Sequence, residues 1–241
     1  MLTWGISQQL VRLARRQIRS KSSRSHRVGW RLPTAVAFLP MEIAESTRSR
    51  ILNAAIEMME AGGESSVRLS AIAEALGIKE PSIYHHFKNR TELVNAAYVE
   101  WYWQCLKTDI PVDAMMVLVD SKEDYVRAIR KSMEWSYQPE RHHARSIRLT
   151  VLGAAQRNPE LAAAVNDITK KFLATIADAV AVAQQKGWLR TDLDPMATAY
   201  WLHGQIIGRV VAEMDPGQVD FAEWDKVSFE AVLGLILAPE K

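Results

Sequence analysis

The side chains best spaced for chemistry lie in one short stretch, residues 69–88, LSAIAEALGIKEPSIYHHFK. Ile83 and Phe87 stand four apart and share an inward helical face, so Lys79, Glu80, Ser82 and His85 turn outward. Such a set suits the edges of DNA bases. Glu80 can accept from a cytosine amino group, and Lys79 suits guanine edges or phosphate. Tyr84 and Lys88 suit phosphates, which position a protein without specifying sequence, although Tyr84 equally fits a core place with its hydroxyl at the rim. Arg48 and Arg68 would add contacts to the DNA backbone.

Other chemistries find little support. Cys105 has no His–Asp companions readable from the sequence, and the chain carries neither a glycine-rich phosphate loop nor a GxSxG elbow. His142 and His143 are adjacent, which on a helix points them about 100° apart. With His203 they have no Cys or carboxylate spacing around them. They read as exposed or structural histidines, and no metal, cofactor or enzymatic activity is expected. A single cysteine also rules out an intramolecular disulfide framework and fits a reducing cytoplasm.

Two helices and a tight turn must position the outward set. Ile72, Ala73 and Leu76 form the apolar stripe of the first helix, and Ile83, Tyr84 and Phe87 that of the second. Gly77 stands at the corner, where one residue at positive φ commonly ends a helix. Pro81 falls in the first turn of the second helix, where its missing N–H costs nothing. This is helix-turn-helix grammar, whose usual use lays the second helix in a major groove. Helices of about two turns cannot stand alone. Residues 47–61 supply the support, with Ile51, Leu52, Ala55, Ile56, Met58 and Met59 on a broad face and Ser46 or Thr47 as cap. Asn89 with Glu92 has the spacing of a capping pair opening a connector helix over 90–106.

The remainder reads as all-helical, with segments near 121–135, 141–157, 159–186, 195–214 and 221–237. Asp194 or Asp192 caps the fourth of these. In it Gly204, Gly208 and Ala212 recur every four residues, a stripe that lets another backbone approach closely. The partner can be a second subunit or a helix of the same chain. No apolar run reaches the ~18 residues of a membrane span.

The net charge of +2 conceals an asymmetry. Residues 1–40 carry eight Lys and Arg and no acid, which leaves 22 basic against 28 acidic residues beyond, a net of −6. Residues 1–44 are expected to be a basic, disordered extension. A phosphate-binding arm, a transit-like leader, or an extension upstream of a true start at Met41 all remain open for it.

TRSRILNAAIEMMEAGG followed by IAEALGIKEPSIYHHFKNRTELV resembles the N-terminal domain of the TetR family of bacterial transcriptional regulators. The family's tyrosine, phenylalanine and turn glycine fall at Tyr84, Phe87 and Gly77, and its helix-opening basic residue at Arg90. Two positions depart from it. Lys79 and Arg68 stand where hydroxyl caps are usual, weakening each cap while adding a cation where DNA should run.

The resemblance implies an all-α chain with a three-helix DNA-binding head over 45–93 and a helical effector-binding and dimerisation domain over 94–241. It implies DNA contacts from Arg48, Arg68, Lys79, Glu80, Pro81, Ser82, Tyr84, His85 and Lys88. An effector pocket is expected around Trp101, Met116, Met133, Trp135 and Tyr137, for a small apolar effector. The last two long helices would form a homodimer interface through Trp201, Gly204, Gly208, Ala212, Trp224, Ala231 and Leu235. The expected function is a cytoplasmic, nucleoid-associated, ligand-responsive repressor on a double-stranded, palindromic DNA operator, away from any membrane. The alternative is a ligand-binding or interaction protein of the same fold that has lost its DNA binding.

Overall fold

The structure, a computed structural model, describes residues 45–107 and 119–237. Met116 and the basic stretch before residue 45 lie outside the described residues. Helix α1 (Thr47–Gly62) is capped by Ser46, whose Oγ accepts from the Ser49 N–H at 3.1 Å. Its Ile51 and Ala55 are fully buried, with Leu52, Ile56 and Met59 nearly so. Helices α2 (Leu69–Leu76) and α3 (Glu80–His86) pack across it through Ile72, Ala73 and Ile83. Each large aliphatic side chain buried here stabilises the head by about 1.5–3 kcal/mol.

Gly77 makes the corner. Its φ of 64° lies in the left-handed region, where a side chain would be strained. Its N–H bonds Glu74 O at 3.1 Å, and the Ile78 N–H bonds Ala73 O at 2.9 Å, the paired closure that satisfies the last carbonyls of α2. Arg50 adds a third bond, from its guanidinium to Leu76 O at 3.2 Å. Helix α3 stops one residue earlier than its stripe suggests. Phe87 is extended (φ −139°, ψ 123°), and its ring is buried all the same.

Helix α4 (Arg90–Lys107) opens on the expected capping pair. Asn89 Oδ1 accepts from the Glu92 N–H at 2.8 Å, and Glu92 reaches back to the Lys88 N–H at 2.7 Å. Its Leu93, Ala97, Tyr98, Trp101, Tyr102 and Cys105 are buried. Beyond it run α5 (Lys122–Tyr137), α6 (His142–Ala155), α7 (Pro159–Gln185), α8 (Pro195–Glu213) and α9 (Phe221–Ile236). No strand occurs among the described residues, only an isolated bridge between Leu189 and Leu237. Caps again come from local side chains: Ser121 for α5, Asn158 for α7, Asp194 for α8 and Asp220 for α9. Asp192 instead pairs with Arg190, which holds its carboxyl down at about 2.

The largest core does not stop at the head. It runs from Ile51 through α4 to Val151, Leu161 and Val165, so α4 belongs to both halves. A hydrogen-bonded junction reinforces this. Asn158, the cap of α7, donates to Asn95 Oδ1 on α4 at 2.8 Å, and Asn95 is itself buried. A second core joins Tyr125, Val180, Ala183, Leu189, Val232 and Ile236 at the far end of the body.

Candidate DNA-binding surface and effector cavity

Because Ile83 and Phe87 anchor α3 inward, the opposite face is presented to solvent. Lys79, Pro81, Tyr84, His85 and Lys88 are exposed, as are Arg48 and Arg68. Glu80 and Ser82 are half-buried, so they project less than the spacing suggests. Tyr84 is 50% exposed, which removes the core alternative for it. Neither Lys79 nor Arg68 makes a side-chain cap, so both cations are left to reach outward from the helix starts. The Arg48 guanidinium lies over the Phe87 ring, 5.0 Å from its centroid, which holds it at the same edge as α3. Arg90 is committed elsewhere. Its Nε donates to Val67 O at 2.8 Å and its NH2 to Glu64 O, so it ties the link before α2 to the start of α4.

Among the described residues the body holds a cavity of about 130 Å³ between α5, α7, α8 and α9. Tyr125, Ile129 and Met133 face it from α5, Phe172, Ile176 and Val180 from α7, Leu202 and His203 from α8, and Val232 from α9. Met133 and Tyr137, both expected pocket residues, line it. Two others do not. Trp101 is locked in the main core, where its indole N–H donates to Glu60 at 3.1 Å. Trp135 turns outward at 38% exposure, with Arg141 over its ring at 5.2 Å, because α5 buries its Tyr125–Ile129–Met133 stripe instead. Burial pushes the Tyr125 hydroxyl up to about 12 and raises that of Tyr137 as well.

The histidines divide. His142 and His143 are exposed and sit against Glu213 (3.0 Å) and Glu60 (3.3 Å). His203 is buried at 7% exposure, its ring edge-on to Phe172 at 6.1 Å. Burial, with the nearby Arg148 cation, pushes its imidazole down to about 4, so it is neutral near pH 7. No group of three or more metal-ligating side chains occurs among the described residues.

A buried ionic cluster was not anticipated. Glu213 accepts from Arg145 and from Arg209 (3.2 Å), with side-chain exposures of 6, 2 and 4%. Arg209 also pairs with Asp225 at 2.5 Å and lies over the Phe221 ring at 4.3 Å, and Arg145 further bonds Ser136 O at 2.6 Å. The cluster thus joins α5, α6, α8 and α9. Burial alone would raise the Glu213 carboxyl, but hydrogen bonds from Arg145, His142 and Arg209 and the Arg145 charge hold it below its ordinary value. The available signal was the i,i+4 spacing of Arg209 and Glu213 on a helix that otherwise looks buried; in the sequence the two read only as polar interruptions of that helix.

On α8 and α9 the expected interface residues separate. Trp201, Gly204 and Ala231 are exposed, and Gly208 is half-buried. A Cβ built on Gly204 or Gly208 would meet nothing within 4 Å among the described residues, so these glycines do not serve packing between those residues. Ala212 is buried in its own subunit, Leu235 packs on the second core, and Trp224 stands beside Arg209 at 6.0 Å. These three are held by intrachain packing, which the four-residue spacing alone does not distinguish from an outer face.

With this geometry in place, comparisons with known proteins agree on one family. The profile described as "Bacterial regulatory proteins, tetR family" matches residues 51–97, the head and the first turns of α4. The HTH-type transcriptional regulator UidR of Escherichia coli K12 is 26% identical over 157 residues, 65% of this chain and 76% of that protein. SmeT, the repressor of the Stenotrophomonas maltophilia multidrug efflux pump SmeDEF, superposes with a TM-score of 0.55 at 21% identity, covering 80% of this chain and 92% of its own. The Bacillus subtilis transcriptional regulator FadR, solved with stearoyl-CoA, gives a TM-score of 0.55 at 22% identity over 76% of this chain and 96% of its own. Residues 51–97 carry the helix-turn-helix DNA-binding domain of the TetR family of bacterial regulatory proteins, and beyond it the chain shares the fold of TetR-type transcriptional regulators.

Proposed function

We propose that the protein is a ligand-responsive repressor that binds a palindromic DNA operator as a homodimer. The observation that carries this reading is the exposed face of α3, with Lys79, Tyr84, His85 and Lys88 presented from a head whose core is continuous with the body through α4. One helix of two turns reads only a few base pairs, so a specific site calls for two heads related by a two-fold axis. Exposed Trp201, Val211 and Val227, together with the open Gly204 and Gly208 on α8, suit the self-association of α8 and α9. SmeT is a repressor and FadR was solved with an acyl-CoA, which supports repression and effector binding here by likeness.

The coupling is a population shift. A small, largely apolar effector in the cavity would favour one placement of α7, whose Phe172 and Ile176 line it and whose cap bonds Asn95 on α4. Since α4 carries the head, the separation of the two α3 helices would follow. Selection of bound duplexes from a random pool tests the reading. An enriched inverted repeat is expected. Failure to enrich any sequence would instead favour an interaction protein that has kept this fold without its DNA binding.

A further inference from the structure

We propose that the cavity between α5, α7, α8 and α9 takes an uncharged aromatic molecule bearing a hydroxyl group, with that hydroxyl bonded to the imidazole of His203. This assignment rests on the cavity being the effector site. Three observations bear on it. At about 130 Å³ the cavity is on the scale of an engineered cavity that holds benzene, so a single substituted ring suits it. Its walls are mostly aromatic and aliphatic, Tyr125, Phe172, Ile176 and Leu202 among them, with Ser132, Ser136 and Gln205 as polar members, and among the described residues no Asp, Glu, Lys or Arg lines it. A charged ligand would lose its hydration there without gaining a counter-charge.

His203 supplies a buried, unsatisfied polar group at this wall. It is more than nine-tenths buried, it faces the cavity, and neither ring nitrogen has a hydrogen-bond partner among the described residues. Buried polar groups in folded proteins are nearly always bonded, so an orphan at a cavity wall marks a place for a ligand atom. The neutral imidazole has one donor and one acceptor nitrogen. A hydroxyl is also both donor and acceptor, so it can meet whichever nitrogen faces it, whereas a hydrocarbon satisfies neither. The T-shaped contact with Phe172 fixes the ring plane. The apolar spacing of the neighbouring helices carries no trace of this, because His203 only becomes a cavity residue once α8 is packed on α7.

The test uses 4-ethylphenol and its hydrocarbon counterpart ethylbenzene, titrated calorimetrically into the full chain and into His203→Leu. The wild-type protein should bind the phenol about ten-fold more tightly than the hydrocarbon, the equivalent of one net hydrogen bond, and H203L should lose that preference. Equal binding of both probes by the wild type, or an unchanged preference in H203L, overturns the assignment while leaving an effector cavity in place. Binding of neither probe overturns both. H203L should melt at or above the wild-type temperature without ligand, since an unpartnered imidazole is replaced by an apolar group. Melting well below it would show that His203 serves a structural partner, which also overturns the assignment. Phenol binding that leaves operator affinity unchanged would retain the site and refute its regulatory role.

Discussion

Replacing Glu213 by Gln should be among the most destabilising single changes in the body of the protein. The carboxylate is 6% exposed and accepts from two guanidiniums that are themselves 2 and 4% exposed. Gln keeps the shape and one acceptor oxygen but removes the charge. Arg145 would retain only the carbonyls of Ser136 and Gln138, at 2.6 and 3.1 Å, while Arg209 would retain Asp225, whose side chain is 46% exposed. Breaking a buried pair in this way costs about 3–5 kcal/mol, because a desolvated charge is left behind. Urea unfolding at pH 7 reads the loss as a lowered midpoint at constant slope. Replacing Arg145 and Glu213 together by Met should cost less than E213Q alone, since no unmatched charge remains at that contact. Acid sensitivity adds a second readout. The folded carboxyl sits below its ordinary value of 4.5, so its stabilisation is present above that pH and is lost as pH falls through the lower folded value. E213Q should flatten that limb. A midpoint change equivalent to under about 0.5 kcal/mol, the size of an ordinary surface substitution, would show that the buried carboxylate does not hold these helices together.

Further outcomes follow from the same geometry. His203 ionises near 6.5 in an unfolded chain and near 4 when folded, so protons favour the unfolded state between these values. Wild-type stability should therefore fall relative to His203→Leu by up to about 3 kcal/mol as pH drops from 6.5 to 4, measured by thermal or urea unfolding in matched buffers. Gly204 is exposed and a Cβ built there meets none of the described residues within 4 Å, so Gly204→Arg should leave far-ultraviolet circular dichroism unchanged. Sedimentation should nonetheless show a loss of dimer, and an undiminished dimer would place the interface elsewhere. Gly77→Val forces a β-branched residue to φ 64° and should lower the melting temperature, equivalent to at least 1 kcal/mol.

What the sequence disclosed was local chemistry. Ser46, Gly77, Asn89 with Glu92, and Asp194 all act on backbone groups within a few residues, so the starts and stops of α1, α2, α4 and α8 were readable without the fold. The outward face of α3 was readable for a related reason, since Ile83 and Phe87 point it. What resisted reading depends on neighbours distant in the chain. Trp101 and Trp135 have similar composition and helical context, yet one meets Glu60 across 41 positions and the other meets solvent. Arg209 and Glu213 read only as polar interruptions of α8 until four helices close around them and bring Arg145 to the same carboxylate. Gly208 and Ala212 share a stripe, but only the structure separates an open position from a packed one.

In the proposed function the exposed face of α3 reads DNA through phosphate and base contacts. The most direct test is the salt dependence of affinity for the selected duplex, measured by fluorescence anisotropy for the wild-type protein and Lys88→Ala. Affinity should fall linearly with salt on a double-logarithmic plot, and loss of one phosphate contact per subunit should make that slope shallower by about 1 for each contact removed. Affinity that does not change between low and physiological salt, or a slope that Lys88→Ala leaves untouched, would show that this face does not hold DNA phosphates.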